Sequence, residues 1–159
     1  AIVYEISVHE MPAQRIMSIR GSVPRGDVPD FIDRSFADLR SHLRLLGVRA
    51  VAGPFVIYHV VETSVDTEAC VPVAGDILAV GRISTRSLPA TTVARTVHVG
   101  PYEELRAAYA ALVTWMGQRG LEAVGPVRER YIDGPGGSTR PADYRTVVEL
   151  PIAAAAVHA

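Results

Sequence analysis

Lysine and asparagine are missing from this chain of 159 residues, and cysteine occurs once, at Cys70. A lone cysteine excludes an internal disulfide and the Cys-x-x-Cys spacings of zinc and redox sites. A reducing cytoplasm suits such a chain. Without asparagine there is no N-glycosylation acceptor. All 16 basic residues are arginine, which reflects genome composition and not chemistry. No apolar run reaches the ~18 residues of a membrane span, and the N-terminus opens on strand-like residues instead of a charged-then-apolar signal. Neither export nor a membrane partner is expected. An excess of one charge is also lacking: 16 basic against 17 acidic residues leave −1. No stretch carries five like charges, so direct nucleic-acid contact by this domain is not expected. What is present is the composition of an ordinary soluble domain, 48% hydrophobic. Such a chain buries roughly two thirds of its unfolded surface, which builds a core without disulfide, metal or cofactor.

The chain is internally repeated. Ile6-Ser7 through Met11-Pro12-Ala13 lines up with Ile83-Ser84 through Leu88-Pro89-Ala90 at an offset of 77. A helix-like stretch follows each, closed by Gly47 and then Gly53-Pro54-Phe55 in the first half, and by Gly120 and then Gly125-Pro126-Val127 in the second. Val71-Pro72-Val73 matches Leu150-Pro151-Ile152 at the two ends. Alternation over Tyr4–Val8 and Ile16–Arg20 predicts two strands with Met11-Pro12-Ala13 between them. From Val28 to Leu46, the residues Ile32, Phe36, Leu39, Leu43 and Leu46 form one stripe of an amphipathic helix, with Asp30 near its start and Gly47 at its end. Tyr102, Leu105, Tyr109, Leu112 and Met116 repeat that stripe between Pro101 and Gly120. Further strands are predicted at about 54–62, 68–73, 126–133 and 143–151.

The expected fold is therefore α+β: two β-β-α-β-β modules related by a pseudo-twofold, repeat one about 2–75 and repeat two about 76–152. Each module is a four-stranded antiparallel sheet covered by one helix, and the uncovered faces call for a ligand cleft between the modules. Asp133–Ser138 reads as a loop and residues 153–159 as a disordered tail.

Glu129 carries the most chemistry. In Val127-Arg128-Glu129-Arg130-Tyr131-Ile132, period two sets Glu129 beside Val127 and Tyr131, with Arg128 and Arg130 on the other side. An offset of 72 maps Ile57 onto Glu129, so an apolar residue in one half corresponds to an acid in the other. Either Glu129 faces inward, toward the cleft expected between the modules, or the register is reversed at a sheet edge and it pairs with an arginine in solvent. An inward carboxylate needs a cation or donors. Among aromatic walls it would receive a cationic or hydrogen-bond-donating apolar molecule, with cation–π attraction added. The available walls are Tyr58, Tyr102, Tyr109, Trp115, Tyr131 and Tyr144, of which Tyr109 and Trp115 suit a plain helix-to-sheet core better. His59 and Glu62 fall on opposite strand faces, which argues against metal ligation. His98 suits strand-end packing better than a general base. No nucleophile elbow or phosphate loop occurs.

Val97-His98-Val99-Gly100-Pro101-Tyr102-Glu103-Glu104-Leu105, then Trp115, Gly120-Leu121, Gly125-Pro126, Arg128-Glu129-Arg130-Tyr131, Tyr144-Arg145-Thr146 and Leu150-Pro151-Ile152, together resemble the GyrI-like small-molecule-binding domain over about residues 2–152. The resemblance implies the effector-binding domain of bacterial MerR-type and AraC-type multidrug regulators, with apolar aromatic cations as ligands and Glu129 as the pocket acid. Ligand contacts would come from Glu129, Tyr131, Tyr102, Trp115, Tyr58, Ile57 and Tyr144. Family members often carry a second Glu directly after the Thr of the final strand, where this chain has Val147, with Glu149 two residues on. That departure points toward neutral or weakly basic ligands. Two other readings follow from the same resemblance: a hydrolase opening cyclopropane-bearing genotoxins, with Glu129 and Tyr102 catalytic, and a gyrase-inhibitor-like protein-interaction module. No helix-turn-helix precedes Ile2, so DNA binding would come from a region N-terminal to it. Ala1 without a Met fits a processed chain or a piece of a longer one.

Overall fold

In the computed structural model, residues 3–135, 137 and 139–153 are described, and most of the expected C-terminal tail, 154–159, lies outside them. In chain order the elements are β1 (Ser7–Met11), β2 (Gln14–Pro24), α1 (Val28–Leu46), β3 (Phe55–Val61), β4 (Ser64–Pro72), β5 (Ile83–Leu88), β6 (Thr91–Val99), α2 (Leu105–Gln118), β7 (Val127–Asp133) and β8 (Arg145–Ile152). They divide into two compact units, residues 13–89 with α1 and residues 1–12 plus 90–159 with α2. In the α1 unit the antiparallel strand order is β3-β4-β2-β5, and in the α2 unit it is β1-β6-β8-β7. Neither helix is long and apolar enough to cross a membrane among the described residues.

Each unit has the expected four strands and one helix, but the repeats exchange their opening strands. β1 pairs with β6, and β5 pairs with β2. The connectors explain this. Only Pro12-Ala13 separates β1 from β2, and only Pro89-Ala90 separates β5 from β6. A two-residue hairpin needs φ > 0 at its first loop position, and proline is locked near −65°. Among the described residues no non-glycine has positive φ. The chain therefore runs on into the other unit instead of folding back.

Helix α1 occupies the span its stripe and caps predict. Pro29 lies in the first turn, and Gly47, at φ 66°, ends the helix, with the Val48 N–H reaching the Leu43 carbonyl at 3.0 Å. Its buried side is Phe31, Ser35, Phe36, Leu39 and Leu43, while Leu46 is exposed. The stripe is thus rotated toward Phe31, whose ring closes on Gly21 of β2, where a Cβ would lie 3.0 Å away.

Helix α2 starts at Leu105, later than the expected Pro101, because Tyr102–Glu104 forms a 3-10 turn. Ala108, Leu112 and Met116, at helical spacing, bury against Ala94 of β6 and Val148 and Ile152 of β8, flanked by Tyr4, Ile6, Val8, Tyr109, Trp115 and Val127. Each large apolar side chain buried there stabilises the unit by about 1.5–3 kcal/mol.

Candidate ligand-binding site

Val127 packs into the α2 core, so period two turns Val127, Glu129 and Tyr131 toward α2 and Arg128 and Arg130 away from it. Glu129 is 7% exposed. Its carboxylate accepts hydrogen bonds from the Tyr131 hydroxyl at 2.7 Å and from the Tyr109 hydroxyl on α2. Both partners belong to the same unit. Among the described residues no basic side chain forms an ion pair with Glu129. Arg130, on the opposite face, donates instead to Glu149 at 2.6 Å. Tyr109 is the residue that its place in a helical stripe concealed. The signal was a hydroxyl where the stripe needs only an apolar ring.

Beyond Tyr131 the aromatic cluster continues through Tyr102 to Tyr144. The Tyr102 ring lies 5.8 Å from Tyr131 in an edge arrangement and 5.3 Å from Tyr144. Tyr102 owes this position to the 3-10 turn, which takes it out of the helical stripe. Two glycines shape the turn's surroundings. Gly100, at φ 138°, donates its N–H to the Tyr144 carbonyl at 2.8 Å, and a Cβ at Gly134 would lie 2.5 Å from the Tyr102 hydroxyl. His98 is fully buried on the same face. Its Nε2 lies 3.2 Å from the Pro101 carbonyl, which can only accept, so the neutral ring carries its proton there. Nδ1 then accepts from the Tyr4 hydroxyl at 2.8 Å. Burial, and then the negative charge of Glu104, raise the Tyr4 phenol above its ordinary range.

The site thus gathers Glu129, Tyr131, Tyr102 and Tyr144 from the residues expected, and adds Tyr109. Ile57 and Tyr58 belong to the other unit, where Ile57 is a core residue with Ile16, Phe55, Cys70 and Leu88. Trp115 packs on the α2 core with the Arg119 guanidinium 4.2 Å over its ring. The strand register also corrects the equivalence of Ile57 and Glu129. Pro72 opposes Ile16 and Pro151 opposes Val93, which makes β4 and β8 equivalent at an offset of 79. Val56 opposes Ala69 and Glu129 opposes Val148, so the counterpart of Glu129 is Val56. An apolar side chain still becomes an acid, but on the helix-covered face.

Among the described residues two further carboxylates are buried, and both are paired. Glu149 meets Arg95 and Arg130. Glu68 of β4 accepts from Ser18 at 2.6 Å, His59 at 2.8 Å and Arg86 at 2.5 Å. Burial pushes the Glu68 carboxyl up, but the hydrogen bonds from Arg86, Ser18 and His59 outweigh it and hold the group below its ordinary range. Val147 alternates onto the Glu149 side of β8, so a Glu at that position would not face Glu129. Two open depressions of about 610 Å³ flank β1, one beside Arg95 and Val97 and the other beside Met11 and Ile152, and neither is lined by Glu129 or a tyrosine.

No curated protein matches the chain. Among solved structures, the C-terminal domain of EcmrR is 28% identical with a TM-score of 0.86, covering 96% of this chain and 99% of that one. In the EcmrR–DNA complex the chain spans 57% of EcmrR, with a TM-score of 0.85 and 28% identity over 94% of this chain. A hydrolase from Listeria innocua, 12% identical with a TM-score of 0.70, covers 94% of this chain and 92% of its own, and shares the fold. SAV2435 bound to tetraphenylphosphonium shares it too, at 16% identity and a TM-score of 0.68, covering 97% of each chain. The model of the GyrI-like small molecule binding domain matches residues 4–153, and the chain belongs to that family.

Proposed function

We propose that the tyrosine-ringed Glu129 of the α2 unit binds an aromatic or apolar molecule carrying a positive charge or a strong hydrogen-bond donor, and that the domain works as the sensor of a transcriptional regulator or as a stand-alone binder. The observation that carries this is a buried carboxylate held by neutral phenols. Tyr109 and Tyr131 satisfy its oxygens without cancelling its charge. A desolvated charge of this kind attracts an incoming cation strongly, because water screens it little. The ring faces of Tyr102, Tyr131 and Tyr144 add cation–π attraction of about 0.5–2 kcal/mol. Glu149 and Glu68 offer no such attraction, since arginines already neutralise them. Tyr102, at 36% exposure, is the solvent-facing wall of this cluster, past which a ligand would have to enter.

The sensor role rests on the 28% identity to the C-terminal domain of EcmrR, a protein solved in complex with DNA. The cationic ligand class is in keeping with the tetraphenylphosphonium bound by SAV2435. Titration with methyltriphenylphosphonium and its neutral isostere methyltriphenylsilane tests the site. Removing one partner of a buried charge pair costs about 2–5 kcal/mol, so Glu129→Gln should weaken the phosphonium at least tenfold and the silane less than threefold. Equal losses for both compounds, or none for the cation, would exclude Glu129 as its counter-charge.

A further inference from the structure

Thr146 of β8 is fully buried, and its Oγ1 has no hydrogen-bond partner. Val148, Leu150 and Ile152 of the same strand pack toward α2, so period two sets Thr146 on the face that holds Glu129. It stands directly between His98 of β6 and Tyr131 of β7 in the ladder. Neither neighbour has been turned to serve it. The two nitrogens of His98 engage Tyr4 and Pro101, and the Tyr131 hydroxyl donates to Glu129.

The repeat supplies a control. Thr67, five positions before Pro72 as Thr146 is before Pro151, is equally buried, yet its hydroxyl donates to the Val65 carbonyl at 3.3 Å. The same residue type at the equivalent ladder position is therefore satisfied in the unit without the tyrosine-ringed acid and orphaned in the unit that has it. A buried hydroxyl without a partner is unfavourable, and native structures rarely keep one without a use.

We infer that Thr146 Oγ1 is the polar specificity group of the Glu129 site, taking a hydroxyl or carbonyl oxygen of the ligand while Glu129 takes its positive or donor end. This rests on the Glu129 reading above and narrows it. Diagonal neighbours across an antiparallel ladder lie roughly 7–8 Å apart, which is the relation of Glu129 to Thr146. The favoured ligand is therefore an aromatic cation or amine with an oxygen about one ring's length from its charge, not a bare lipophilic cation.

The test compares tetraphenylphosphonium with (4-hydroxyphenyl)triphenylphosphonium on the whole chain by calorimetry, for wild type, Thr146→Val and Thr146→Ser. One added hydrogen bond strengthens binding by roughly three- to tenfold. Wild type should prefer the hydroxylated cation by that factor. Thr146→Val should lose the preference while its affinity for tetraphenylphosphonium stays within about twofold, and Thr146→Ser should keep most of it. Without ligand, Thr146→Val should melt at or above the wild-type temperature, because valine keeps the shape and removes the orphan. No preference in wild type, or a preference that survives in Thr146→Val, would overturn this inference and leave the Glu129 reading standing. A marked drop in the melting temperature of Thr146→Val would assign the hydroxyl a structural role instead and overturn it as well. If neither cation binds wild type, both readings fall.

Discussion

Gly134 leaves room for the Tyr102 hydroxyl, since a Cβ there would lie 2.5 Å from its oxygen. Gly134→Ala must push that hydroxyl away, and the exposed ring can swing at little expense to folding. Its melting temperature is expected to stay within about 3 °C of wild type, corresponding to under ~1 kcal/mol, while affinity for methyltriphenylphosphonium falls at least threefold. Tyr102→Phe in the same background should recover part of the loss, and calorimetric titration of wild type and the two variants checks this. Glu68 gives a residue-scale prediction about pH. Its carboxyl sits below its ordinary value of 4.5 when folded, so the unfolded chain takes up that proton first as pH falls. The stabilisation is complete above the ordinary value and is lost as pH drops through the lower, folded one. Glu68→Gln should therefore lower stability at pH 7, by about 3–5 kcal/mol, and flatten the acid side of the stability curve measured by urea unfolding. An unchanged acid limb would show that Glu68 does not contribute to it.

At the scale of elements, the contact of α1 with β2 is close enough to be tested by one methyl group. Gly21→Ala drives a Cβ to 3.0 Å from the Phe31 ring, and overpacking of this kind costs about 1–3 kcal/mol, readable by chemical denaturation. Helix α1 was legible from its stripe, Asp30 and Gly47, because those signals are local. That Val127, Glu129 and Tyr131 share one face of β7 was legible for the same reason, but that face is the one packed on α2, not the uncovered face expected to line a cleft between the modules. The equivalence of Ile57 with Glu129 slipped by one residue because Gly53-Pro54 and Gly125-Pro126 lie outside the strands, whereas the ladders set the true register through Pro72 and Pro151. The exchange of β1 and β5 was written in the Pro-Ala connectors, but only as a turn that cannot form, which alternation along a strand does not register. Tyr109 stayed hidden because a helical stripe records burial and not what a hydroxyl at its edge meets. Thr146 could not be read at all, since an orphaned hydroxyl is a property of its neighbours.

At the scale of the whole molecule, each compact unit depends on a strand from the other repeat. Removing residues 1–12 should strip the edge strand from the α2 unit and expose the core side chains that Ile6 and Val8 cover. Hydrogen exchange is expected to accelerate along β6 while β2 and β4 keep their protection, and loss confined to the α1 unit would contradict that division. The binding account places all its chemistry in the α2 unit: an uncompensated carboxylate, two phenols that hold it and an aromatic wall above them. A crystal structure of the chain with methyltriphenylphosphonium tests this most directly. The account predicts the phosphonium against the Glu129 carboxylate, among Tyr102, Tyr131 and Tyr144, with the Tyr109 or Tyr131 hydroxyl drawn off the carboxylate. A cation seated in the depression beside Arg95 and Val97, or on the Trp115 ring, with Glu129 still held by both tyrosines, would contradict it.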